Sequence, residues 1–185
     1  MDRMVLGLVL FFGFHSLPLM GGLRQRLIDT IGKLFYLALF ALGSLVGLWL
    51  MLQGYALIDN RVLWLPLPVG RTLAHALMPL ALILLVATYL PTVTRQRLRH
   101  PMLIGVAIWS SVHLMANGDL ASTLIFGPFL VYALLDMLLS RPRKTLIPVH
   151  KPQALYDVLA VIVGLIAYGA LFFGHGTLFG VSLIG

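Results

Sequence analysis

Six apolar stretches constrain this chain more than anything else in it: Met4 to Leu23, Leu34 to Ile58, Thr72 to Thr94, Pro101 to Gly118, Leu120 to about Ser140, and Val158 to Gly185. Five of them carry no Asp, Glu, Lys or Arg, and the other carries only Asp136. A bilayer's hydrocarbon core, about 30 Å thick, is crossed by about 20 apolar residues in a helix. Single open strands cannot satisfy their backbone groups in lipid, so helices are the only reading. The expected fold is therefore all-α: a polytopic transmembrane helical bundle of about six helices, forming one domain over 1–185. The last stretch is longer than a span needs and should end in a loose tail.

Composition agrees. Of 185 residues, 60% are hydrophobic and 10% charged, where soluble domains carry about 25% charged residues. The lipid bilayer is the expected solvent. The net charge of +7 would suggest nucleic acid in a soluble protein. Here the basic residues fall in short joints between apolar runs, where they set topology, so no nucleic-acid partner is expected. Cysteine is absent, which removes disulfides, thiolate ligands and the CxxCH attachment of c-type haem. All six acids are aspartates, so no paired-glutamate metal site can form.

The joints have their own grammar. Asp59-Asn60 should close the second span, and Trp64-Leu65-Pro66-Leu67-Pro68 is too broken to cross, so it belongs at the interface. Pro101 suits a first helical turn. Asn117-Gly118-Asp119 should make a tight turn with Asp119 capping the next helix. Gly43 and Gly47 form a small-xxx-small pair for close approach to another helix, of this chain or of a second copy. Arg24, Arg26, Lys33, Arg95, Arg97, Arg99, Arg141, Arg143, Lys144 and Lys151 fall on one side, and Arg3, Arg61 and Arg71 on the other. The first set should face the cytoplasm, leaving both termini outside. No small-x-small cleavage site follows the first apolar run, so a retained first span is expected rather than a signal peptide.

Polar side chains inside lipid point to function. Of six histidines, His100 and His150 fall in basic joints, and His75 and His175 near the outer surface. His15 and His113 lie deeper. Helix rise puts His15 about 16 Å below the outer face and His113 about 18 Å above the inner one, levels that agree within roughly 4 Å in a core of about 30 Å. Two imidazoles at one depth suit either the axial ligands of a haem or separate hydrogen bonds to neighbouring helices. Gln53, Ser110, Ser111, Asn117, Ser122 and Thr123 read as helix-to-helix hydrogen bonds. Asp119, Asp136 and Asp157 read as caps or ion-pair partners, with Asp136 the deepest. No Ser-His-Asp, Walker or dinucleotide fingerprint is present.

Phe14-His15-Ser16 with Gly22-Leu23-Arg24, the Tyr36 to Gly47 run, and Arg99-His100-Pro101-Met102 through His113, Asn117-Gly118-Asp119 and Phe126-Gly127 resemble the NnrU family. The resemblance covers most of the chain through about Asp136. It implies a bacterial inner (cytoplasmic) membrane protein linked to denitrification and nitric oxide metabolism. The related plant 15-cis-ζ-carotene isomerases bind haem b. By resemblance His15 and His113 are the axial metal ligands, with His100 a further cofactor-binding histidine. Those enzymes use a cysteine one turn before the second ligand, where this chain has Ser110; a serine cannot replace a thiolate on iron. Two functions follow from the resemblance: haem-dependent cis-trans isomerisation of an apolar polyene, or a role in nitric oxide metabolism. A non-catalytic accessory factor for a membrane protein partner, or a homo-oligomer docking through small-residue faces, is the alternative. No internal repeat supports a transporter.

Overall fold

A computed structural model of the chain describes residues 1–20, 22–59, 61–139 and 151–183. Among them the regular structure is helical: α1 (Asp2–Ser16), α2 (Gly22–Ile31), α3 (Lys33–Tyr55), α4 (Gly70–Tyr89), α5 (Val93–Arg97), α6 (Pro101–Ala116), α7 (Leu120–Leu139) and α8 (Ala154–Phe179). The α1 segment together with the 3-10 turn that follows it, α3, α4, α7 and α8 are long and apolar enough to cross a membrane, and α6 is a shorter apolar helix. This is the all-α membrane architecture that the six apolar stretches require. Asn60, Arg141, Arg143, Lys144, His150 and the final Gly185 lie outside the described residues.

Three boundaries differ from expectation, each for a local reason. The first span does not continue to Leu23; α1 stops at Ser16, and Pro18 sits in a 3-10 turn, Leu17–Leu19. Pro18 has no N–H to extend the α-helical ladder. The basic stretch after it is no loop but α2, a ten-residue helix carrying Arg24 and Arg26. The third span ends at Tyr89 because Leu90 precedes Pro91 and is driven to extended backbone (φ −104°, ψ 153°).

The chain divides into two compact units. The first, Met1–Leu65 with Asn117–Arg141, holds α1, α2, α3 and α7. Its centre is the α1–α3 contact, made close by glycine. A Cβ on Gly7 would stand 2.6 Å from the Gly47 carbonyl oxygen and 2.7 Å from the Met51 nitrogen. Met4 and Met51 seal the contact and are fully buried. Gly43 faces the Phe14 ring of α1, so the small-xxx-small face meets a helix of its own chain. At the other end Asp119 caps α7 as expected, its carboxylate accepting from the Ser122 backbone N–H (2.8 Å) and hydroxyl (2.8 Å). The Leu63 and Trp64 N–H groups both donate to the Gly118 carbonyl (2.7 and 3.0 Å), which ties the Trp-Leu-Pro segment to that turn.

The second unit, Pro66–Ala116 with Pro142–Gly185, is organised around α4, with α6 and α8 both packed on it. Gly164 lets α8 come close: a Cβ there would lie 2.7 to 2.9 Å from Ile83 side-chain and backbone atoms. Pro101 opens α6, where its missing N–H costs nothing. Asp157 of α8 caps another helix, its carboxylate accepting from the backbone N–H groups of Val93 (2.8 Å) and Thr94 (2.9 Å) at the start of α5. The buried Thr92 completes that junction, accepting from the Arg95 N–H and donating to the Ala87 carbonyl.

Candidate functional site

His15 stands in the last turn of α1, nearer the end of its helix than the expected span placed it. Its Nδ1 lies 2.9 Å from the Phe11 carbonyl oxygen one turn earlier. A carbonyl can only accept, so Nδ1 carries the proton and Nε2 holds the lone pair. This is the tautomer and the support that a metal-ligating histidine normally has. The ring is held on its face by Phe11 (centroids 4.0 Å apart, planes 16° from parallel) and flanked by Phe40 at 4.9 Å.

Around His15 the first unit is polar in a way its composition does not advertise. The Tyr132 hydroxyl of α7 donates to the His15 carbonyl at 2.6 Å. A 3-10 turn would take that bond from the N–H of residue 18, which is proline, so the hydroxyl stands in for the missing donor. Asp136, 6% exposed, lies one turn further along α7 with Oδ2 3.5 Å from the Tyr132 hydroxyl, and it interacts electrostatically with His15. On α3, Tyr36 packs behind Phe40 (centroids 6.3 Å) and is 4% exposed. Its Oη is buried without a hydrogen-bond partner among the described residues. The Arg24 guanidinium of α2 stands 6.0 Å from the centre of the Tyr36 ring, the outer limit of a cation–π contact.

In the second unit His113 repeats the His15 device. It stands in the last turn of α6, and its Nδ1 donates to the Trp109 carbonyl at 2.7 Å, again one turn back and again on an aromatic residue. Trp109 tilts over the ring at 5.6 Å and 55°. Ser110, fully buried, turns its hydroxyl onto the Val106 carbonyl (2.8 Å). His100 lies at the opposite end of α6, about 20 Å away by helix rise, so it and His113 cannot touch one metal atom. His175 of α8 is near enough to His113 for their charges to interact, while its own Nδ1 donates to the Val181 carbonyl (2.8 Å). His75 packs edge-on to Phe172. Ser122 and Thr123 serve the start of α7, which accounts for two of the hydroxyls expected to bridge helices.

Among the described residues no three His, Cys, Asp or Glu side chains converge as a metal site. A bare ion would find too few donors. A metal that brings most of its own ligands, as haem b does, needs only imidazole nitrogens from the protein, and the Nδ1-anchored rings of His15 and His113 have that chemistry. An orphaned hydroxyl and a guanidinium beside the His15 cluster suit an acidic group. The donor set fits the cofactor. Tyr36, Tyr132 and Arg24 escaped sequence reasoning as site residues. The signal was faint: Pro18 three residues after His15 leaves a carbonyl needing a donor, but the sequence does not say which hydroxyl supplies it.

No curated protein and no solved structure matches the chain. The family model described as NnrU protein matches residues 3–183, which takes in both histidine-bearing helices and the aromatic and acidic groups around His15. The chain belongs to the NnrU family.

Proposed function

We propose that this chain is a haem b-binding membrane protein of the bacterial inner membrane, in which the imidazoles of His15 and His113 would supply the iron's protein ligands, with an apolar polyene as its substrate class. One observation carries the reading: two histidines, on different helices, each donate Nδ1 to the carbonyl one turn earlier and keep Nε2 as the lone-pair nitrogen. When bound, the haem supplies a redox-active Lewis-acid iron, able to polarise a polyene double bond or take up nitric oxide. The protein's part is support. Phe11 and Trp109 fix ring orientation through their carbonyls and their faces. Tyr132 holds the end of α1 so that His15 keeps its place. Ser110, bonded to its own helix, leaves no thiolate for ligand exchange, so a redox response here works without that switch.

The test is the visible spectrum of the detergent-purified protein. A reduced bis-histidine haem b gives a sharp α band in the green, expected in the wild type and absent from His15→Ala and His113→Ala. Protein that stays colourless when made in haem-replete cells removes the reading and leaves a non-catalytic accessory role. Isomerase activity is then assayed in cells that accumulate 15-cis-ζ-carotene. Conversion is expected, and bound haem with no conversion removes the isomerase assignment alone.

A further inference from the structure

We propose that Arg24 and the buried hydroxyl of Tyr36 form a carboxylate-receiving site that anchors a haem propionate in the first unit, an assignment that rests on the haem reading above. The starting point is an anomaly. Buried side-chain polar atoms are nearly always hydrogen-bonded, and leaving one unpaired is costly. Among the described residues Tyr36 Oη is the buried side-chain polar atom without a partner, on a residue 4% exposed. A tyrosine retained there at that cost needs an acceptor, and none comes from the described residues.

The surroundings specify the acceptor's charge. A guanidinium stands nearby, that of Arg24, 6.0 Å from the centre of the same ring, and a phenol O–H with a guanidinium offers donors only, suited to an anion. Position specifies its source. Tyr36 lies in the first turn of α3, its backbone N–H donating to the Gly32 carbonyl (3.1 Å), at the end of the helix that adjoins basic α2. Behind it, Phe40 and then His15 follow in a row, ring to ring at 6.3 and 4.9 Å. A group that ligates through a nitrogen at one end of such a row and presents an acid at the other has the layout of a metalloporphyrin with its propionates.

The experiment compares haem b with its dimethyl ester, which has no free carboxylate, by titration into the full-length protein in detergent. The wild type should hold haem b about tenfold more tightly than the ester, as expected for a hydrogen bond to a charged group. Tyr36→Phe and Arg24→Gln should each lose about that factor for haem b, bind the ester like the wild type, and keep the α band. Variants that hold haem b as tightly as the wild type overturn the assignment, as does an equal loss for both porphyrins. If the variants instead lose affinity only for vesicles of anionic lipid, the pair reads a headgroup and the proposal is wrong. Wild type that binds both porphyrins equally, with the band lost in His15→Ala, removes the propionate site alone. Wild type that binds neither removes the haem reading beneath it.

Discussion

The two units present the same histidine device with different backing. In both, an imidazole in the last turn of an apolar helix donates Nδ1 to the carbonyl of an aromatic residue four positions earlier. In the first unit this device is embedded in a layer drawn from several helices: Phe40 and Tyr36 from α3, Tyr132 and Asp136 from α7, Arg24 from α2. In the second, Trp109 of the same helix supplies the carbonyl and a tilted ring, Ser110 turns back on its own helix, and His175 of α8 lies near enough for its charge to act on the imidazole. Local helix geometry is enough to fix a tautomer. Building an environment around the ring takes side chains brought from far along the chain.

If that contrast holds, perturbations should separate the halves. The largest effect is expected for Gly7→Leu in the first unit. Backbone atoms of Gly47 and Met51 stand within 2.7 Å of the new Cβ and cannot yield, so the α1–α3 contact should lose upward of about 3 kcal/mol, read as a collapse of thermal stability in detergent. Asp157→Ala probes the second unit away from its histidine. It strips two N–H bonds from α5 and should cost about 1–2 kcal/mol while leaving the haem band intact. Tyr132→Phe removes the cross-helix donor to the His15 carbonyl and should cost about 1 kcal/mol, together with faster loss of the proposed haem. Ser110→Ala is the matched change beside His113 and should alter stability little, because the hydroxyl bonds back onto its own helix, with retention of the proposed haem unchanged. Equal haem loss in the last two variants would erase the distinction between the units.

The spans are legible because apolar length in lipid leaves so few alternatives: α3, α7 and α8 fall close to where the apolar windows put them, α4 does so up to the break before Pro91, and Asp119 caps α7 as its turn grammar requires. The basic stretch at Arg24 reads as a joint because its polarity masks a helix of only ten residues. The end of α1 was misplaced because the apolar run outlasts the hydrogen-bond ladder that Pro18 interrupts. Of the site, His15 and His113 were visible as polar residues where polarity is costly. Tyr36 and Tyr132 were not. Aromatic residues are ordinary in membrane helices, and what distinguishes these two is the orphan hydroxyl of one and the distant carbonyl that the other serves.

The bond from Tyr132 to His15 joins residues 117 positions apart, and this sets an order of events during synthesis. At translation speeds of about 5–20 residues per second, the interval between making the carbonyl and making the hydroxyl is on the order of ten seconds. Helix α1, synthesised well before α7, is thus finished only after it. Until α7 arrives, the trailing end of α1 must borrow a donor from water or lipid.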